Sequence, residues 1–74
     1  MNINYNREVW EGWTVKSFIR SIEWRLDMIM EGNSFYPIPG NKEELSSRII
    51  ELMPYYKKPI PEVVEYFSNK YDVK

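Results

Sequence analysis

The sequence predicts an all-α fold, namely a small three-helix domain with an irregular aromatic amino-terminal segment packed across it. Apolar residues recur at three- and four-residue steps in three separate stretches, which is the period of a helix with one buried face. Proline and glycine interrupt the chain between these stretches. The 74 residues are 43% hydrophobic and 16% aromatic, which is too rich for a disordered chain and indicates one folded domain.

The first helix is predicted over about residues 15–31. Before it, residues 1–13 show no helical period, and Gly12 between two tryptophans marks a turn or a close packing point. Thr14 occupies the N-cap position, and Gly32 supplies the stop signal. The stripe that faces the predicted core consists of Val15, Phe18, Ile19, Ile22, Leu26 and Ile29.

The second and third helices are predicted over about residues 42–53 and 61–71. Asn41 followed three residues later by Glu44 resembles a capping box and opens the second helix. Pro61 fits the first position of the third helix. The apolar stripe of the second helix is Leu45, Ile49, Leu52 and Met53. That of the third is Ile60, Val64, Phe67 and Tyr71, with Val63 beside it.

The connection over residues 33–41 holds two prolines and a glycine, so it cannot continue either neighbouring helix. It also holds three large apolar side chains, Phe35, Tyr36 and Ile38. Because such side chains favour burial, we expect an ordered loop that packs against the helices.

The chain contains neither cysteine nor histidine. This excludes disulfides and thiolate or imidazole zinc sites, and it removes the commonest nucleophiles and general bases. The remaining carboxylate pairs have ordinary helix-surface spacings, and the three glycines lie too far apart for a phosphate-binding loop. We therefore expect no enzymatic activity, metal, cofactor or small-molecule ligand. Without such cross-links, a domain of this size needs unusually good packing or oligomerisation.

The charges are balanced, with ten basic and eleven acidic residues and no basic cluster. Nucleic-acid-binding proteins usually carry clustered Lys and Arg, so this balance disfavours that class. The amino terminus lacks the basic and apolar regions of a signal peptide, and no apolar run approaches the roughly 18 residues of a membrane span. We expect a cytoplasmic protein with no membrane partner.

The first helix carries large apolar side chains on the face opposite its core stripe. At about 100° per residue, Trp24 lies nearly opposite the stripe, with Met28, Ser21 and Ser17 beside it. Tryptophan and methionine among small residues are typical of a contact surface. Three interpretations are open: the amino-terminal segment or the loop of residues 33–41 covers Trp24, the face forms a symmetric dimer, or it binds a different protein.

A second, weaker candidate patch lies on the proline-flanked linker between the last two helices. Its tyrosines could stack on bases and its lysines could bind phosphates or an acidic protein, or else one tyrosine packs into the core and the lysines are solvated. The patch consists of Tyr55, Tyr56, Lys57 and Lys58. A nucleic-acid-binding regulator would use Lys57 and Lys58 together with Arg20 and Arg25, which border the face around Trp24.

The sequence therefore favours a non-enzymatic accessory or regulatory protein that binds another protein or a second copy of itself. A small nucleic-acid-binding regulator of the three-helix type is the alternative. The predicted contact residues are Ser17, Ser21, Trp24 and Met28, with Tyr55, Tyr56, Lys57 and Lys58 as the second patch.

Overall fold

The computed structural model describes residues 2–74 and contains a two-stranded antiparallel sheet followed by three α-helices. Each helix contacts the other two, which confirms the predicted three-helix domain, and the helix bounds agree with the prediction to within one residue. The strands β1 and β2 span Glu8–Trp10 and Trp13–Thr14, and the helices α1, α2 and α3 span Val15–Met30, Lys42–Leu52 and Pro61–Tyr71.

Side-chain hydrogen bonds fix the amino-terminal ends of α1 and α2. Thr14 Oγ1 accepts from the backbone N of Ser17 at 3.2 Å, and Asn41 Oδ1 accepts from the backbone N of Glu44 at 2.9 Å. These bonds satisfy amides that have no partner within the helix, and they confirm both predicted N-caps. The Glu44 carboxylate accepts from the backbone N of Gly40 at 3.0 Å, so the reciprocal bond of the capping box lies one residue earlier than expected.

The carboxyl end of α1 is a Schellman motif. The backbone N of Gly32 donates to the Ile29 carbonyl at 3.0 Å, and that of Asn33 donates to the Met28 carbonyl at 2.9 Å. Gly32 has a φ of 81°, a left-handed conformation that glycine adopts without steric cost. The predicted stop signal is confirmed, and the chain leaves the helix in a fixed direction.

The amino-terminal segment is not purely irregular, so the all-α prediction needs correction. Its two short strands are joined by Glu11 and Gly12, whose φ angles of 43° and 84° are both left-handed. A two-residue turn of this kind matches the right-handed twist of paired strands. Pairing continues beyond the strands, because the backbone N of Val15 donates to the Arg7 carbonyl at 3.0 Å. The hairpin thus lies against the start of α1.

The hydrophobic core lies where the three helices meet. It contains every member of the predicted α1 stripe, which confirms the orientation of that helix. Val64 and Tyr71, which were predicted to face the core, are only partly buried at its edge, whereas Val63 is fully buried. The buried apolar residues are Val15, Phe18, Ile19, Ile22, Leu26, Ile29, Leu45, Ile49, Leu52, Met53, Ile60, Val63 and Phe67.

Aromatic side chains attach the amino-terminal segment to the helices. Trp13 packs against Phe18 of α1 with 5.0 Å between ring centroids, and Trp10 lies 6.2 Å from Tyr56 in the linker before α3. Such ring pairs add to the free energy of burial. They join the hairpin, α1 and the linker of residues 53–60 into one aromatic cluster.

A network of charged and phenolic groups joins α1 to α3. Lys70 Nζ donates to Glu23 at 2.8 Å and to Asp27 at 3.0 Å, while the Tyr66 hydroxyl donates to Glu23 at 2.8 Å and that of Tyr71 to Asp27. The bond from Lys70 lowers the pKa of Glu23, and the bond from Tyr71 lowers the pKa of Asp27. Burial and the bond to Asp27 raise the pKa of the Tyr71 hydroxyl. The network therefore stabilises the ionised carboxylates.

Acid should destabilise the fold through these carboxylates and through Glu62, whose pKa is lowered by its hydrogen bonds from Arg7. Because the folded state holds the three pKa values below the unfolded values of about 3.9–4.3, the unfolded state binds more protons as pH falls. The stabilisation is thus complete above about pH 5 and is lost on acidification below it. Thermal melts followed by circular dichroism from about pH 6 to pH 2.5 measure the effect.

A triple variant with Glu23→Gln, Asp27→Asn and Glu62→Gln should show a weaker dependence of melting temperature on pH. Glu31→Gln is the matched control, because within residues 2–74 the Glu31 side chain has no hydrogen-bond or salt-bridge partner. A wild-type melting temperature that stays constant over this pH range would contradict the prediction.

Candidate protein-binding surface

Trp24 is the most exposed tryptophan of the chain. The core stripe of α1 faces α2 and α3, so Trp24 on the opposite side of the helix is 72% exposed. The interpretation that another segment covers it is wrong. The amino-terminal segment instead pairs with the start of α1, where the backbone N of Lys16 donates to the Tyr5 carbonyl at 2.9 Å, and it reaches α3 through Tyr5 and Tyr66.

An apolar groove begins beside Trp24. Its volume is about 220 Å³, and it lies between the carboxyl half of α1, the following loop and the end of α2. The structure thus brings together Trp24 and Met28 of the predicted contact set. It also places beside them residues of the loop and of α2 that were not predicted for this surface. The lining residues are Trp24, Arg25, Met28, Ile29, Asn33, Ser34, Tyr36 and Leu52.

The two serines of the predicted contact set do not line this groove. Ser17 Oγ lies 3.0 Å from Thr14 Oγ1 at the N-cap of α1, and Ser21 Oγ donates to the Phe18 carbonyl at 2.8 Å. Both side chains are half-buried. Their hydroxyls are therefore already hydrogen-bonded within the helix and its cap.

The loop that follows α1 exposes apolar side chains, contrary to the prediction that it packs them against the helices. Phe35 is fully exposed and Ile38 is 53% exposed. Tyr36 is more protected, because its ring lies 5.1 Å from the guanidinium of Arg48. Phe35 adjoins Asn33 and Ser34, which also line the groove. We call Trp24, Arg25, Met28, Phe35 and Tyr36 the Trp24 face.

Arg25 is the only charged residue among those that line the groove. Its Nη2 donates to the Leu52 carbonyl at 2.9 Å, at the carboxyl end of α2 where the helix dipole favours a cation. The guanidinium thus binds a helix end while its stem borders the groove, so the negative end of the α2 dipole offsets part of its charge.

The second predicted patch is divided between structural and exposed side chains. Tyr56 is half-buried with its ring 5.9 Å from Phe18, and the Lys58 ammonium lies 5.9 Å from the Tyr56 ring. Lys57 Nζ donates to the carbonyls of residues 50 and 51 at 3.2 and 3.1 Å and to that of residue 53. Lys57 therefore caps α2. Tyr55 is 69% exposed beside the hairpin tryptophans.

The four cations of the nucleic-acid alternative lie in different surroundings. Lys57 and Arg25 donate to main-chain carbonyls at the end of α2. Arg20 lines a different cavity of about 380 Å³, together with Tyr5, Asn6, Lys16, Ile19, Glu23 and Tyr66.

The described part of the chain shows neither a membrane-spanning helix nor a metal-binding cluster. Within residues 2–74, no helix combines the length and apolar character that crossing a lipid bilayer requires. Over the same residues, no cluster of three or more acidic, histidine or cysteine side chains is placed to hold a metal ion.

Comparison of the chain with protein-family profiles, curated protein sequences and solved structures finds no match. The chemistry and geometry of the surface itself therefore carry the functional proposal.

Removing the exposed indole should change stability little. Trp24→Ala is expected to alter the free energy of unfolding by no more than about 0.5–1 kcal/mol, because a largely exposed side chain loses few contacts. Urea denaturation at low micromolar concentration measures this value, and Tyr55→Ala provides a control at an aromatic residue of similar exposure. A loss of several kcal/mol would show that Trp24 belongs to the core.

Proposed function

We propose that this chain is a non-enzymatic accessory protein that binds another protein molecule through the Trp24 face. The observation that carries the proposal is the exposed Trp24 at the edge of an apolar groove. Isolated exposed apolar residues are ordinary, but here an indole, a thioether and a phenol ring line one groove, and the exposed Phe35 lines the neighbouring cavity.

The composition of the Trp24 face supports a protein partner. Tryptophan, tyrosine, phenylalanine, methionine and arginine are enriched in protein interfaces, whereas lysine and carboxylates are depleted. Tryptophan, tyrosine and arginine also dominate the residues whose truncation costs most binding energy. The face contains one of each, and its groove would accept a side chain from the partner.

The same features do not favour a nucleic-acid partner. Phosphate binding needs several cations directed at one surface, and its affinity falls steeply with salt. Arg25 and Lys57 are engaged with carbonyls of α2. We therefore propose a contact that depends on aromatic burial and responds weakly to salt.

Position-specific photo-crosslinking in the source cell tests the proposal. The crosslinking amino acid p-benzoylphenylalanine replaces Phe35 in one variant and Tyr55 in a matched control, since both native rings are exposed. We expect a discrete protein adduct from position 35, none from position 55, and loss of the position-35 adduct when Trp24→Ala is added.

The adduct should persist when salt is raised before irradiation. Equal adducts from the two positions, or an adduct that does not depend on Trp24, would contradict a contact through the Trp24 face. An adduct to nucleic acid that disappears with salt would support the alternative class.

A further inference from the structure

We infer that the partner of the Trp24 face is a second copy of this chain, with Phe35 of each copy inserted into the groove of the other. This inference rests on the proposed function and names its partner. Phe35 is a fully exposed side chain next to the groove. It lines a second cavity together with Asn33 and Ser34, and these two residues also line the groove.

The groove is large enough for the ring. An apolar cavity of about 150 Å³ binds benzene in a protein interior, and this groove has a volume of about 220 Å³. Its walls are mainly apolar or aromatic, with Met28, Ile29 and Leu52 among them. A phenyl ring there would exchange its contact with water for contact with these mainly apolar side chains.

Adjacency of the ring and the groove favours two-fold symmetry. In a symmetric dimer each copy uses the same patch, so that patch must contain both halves of every contact. Phe35 and the groove meet this condition. A two-fold axis that relates two copies of the chain repeats the contact between Phe35 and the groove, and the assembly is complete with two copies.

The exposed aromatic area is sufficient for a specific dimer. Aromatic side chains have about 150–250 Å² each, so Trp24, Phe35 and Tyr36 at their observed exposures offer about 500 Å² per copy. Complete burial of these rings in both copies would remove about 1,000 Å² from water, which is close to the lower limit for a specific interface. Burial of the surrounding atoms adds to this area.

The charge on the face is compatible with a second copy. Arg25, the one charged residue among those that line the groove, donates to the Leu52 carbonyl in its own copy. The negative end of the α2 dipole therefore offsets part of the repulsion between two symmetry-related guanidinium groups.

Sedimentation velocity on the purified 74-residue chain tests the inference from about 1 µM to about 500 µM. The wild type should move from one to two copies of the 9.0 kDa chain as concentration rises. Phe35→Ala and Trp24→Ala should each raise the dissociation constant at least about 10-fold, whereas Tyr55→Ala should leave it unchanged. Circular dichroism verifies that each variant remains folded.

Mixing the two variants provides a sharper test. In a mixed dimer, Phe35 from the Trp24→Ala copy enters the intact groove of the Phe35→Ala copy, so one native contact is restored. We expect the mixture to associate more tightly than either variant alone. A mixture no tighter than the separate variants, or a wild type that stays monomeric throughout, would overturn the inference.

The outcome also separates this inference from the proposed function. A monomeric chain that still forms a Trp24-dependent adduct with a different protein would overturn the dimer and leave the proposed function standing. A monomeric chain with no such adduct would overturn both.

Discussion

Phe18→Ala is expected to lower the free energy of unfolding by about 3–5 kcal/mol, which is the whole stability typical of a domain this small. Phe18 is fully buried, and its ring contacts Trp13 of the hairpin at 5.0 Å and Tyr56 of the linker at 5.9 Å. Its removal opens a cavity that these rings cannot all refill. Urea denaturation followed by circular dichroism should show a folded population that is small or absent in water.

Phe35→Ala supplies the matched control, because it deletes the same ring at a fully exposed position. Its free energy of unfolding should lie within about 0.5 kcal/mol of wild type at concentrations where the chain is monomeric. If the two substitutions proved equally destabilising, the assignment of Phe18 to the core and Phe35 to the surface would be wrong.

The second large effect is expected at the carboxyl end of α2. No basic residue lies in the last turn of this helix, and cations from elsewhere contact its terminal carbonyls. Arg25 of α1 donates to the Leu52 carbonyl, and Lys57 of the linker donates to three other carbonyls. Arg25→Met and Lys57→Met should each cost about 1 kcal/mol, and the double variant about 2 kcal/mol.

Lys58→Met is the control for charge alone, because the Lys58 ammonium lies over the Tyr56 ring instead of a helix end. It should change stability by no more than about 0.5 kcal/mol. Urea titrations of the four variants measure the comparison. If Arg25→Met and Lys57→Met left stability unchanged, these cations would be available for the ligand-binding role considered in the nucleic-acid alternative.

Local sequence signals were sufficient to predict the helices. Thr14, Asn41 and Pro61 mark the amino-terminal ends through interactions within the first turn, and Gly32 marks the end of α1. The helical spacing of apolar residues then determines which face is buried. These are interactions over a few residues, so they can be recognised before the tertiary arrangement is known.

The hairpin was missed because its strands are too short to show an alternating pattern. Strands of three and two residues provide no period, and the turn places a glutamate, Glu11, in a left-handed conformation that usually favours asparagine or aspartate. The available signal was the glycine between Trp10 and Trp13, which predicted a turn but not paired strands.

The candidate surface was only partly predictable for a different reason. Helical geometry placed Trp24 and Met28 on one exposed side of α1. It could not show that Tyr36 and Leu52 complete a groove beside them, since their proximity depends on how the loop and α2 pack. The rule that large apolar residues are buried also failed at Phe35, which is fully exposed.

The tryptophans lie in two optical environments. Trp24 is mostly in water, whereas Trp10 and Trp13 are half-buried among tyrosine and phenylalanine rings. A collisional quencher should therefore reach the indole emission of Trp24 first, while the near-ultraviolet circular dichroism reports the packed pair. The unlabelled chain thus carries one intrinsic probe for occupancy of its surface and another for the integrity of its core.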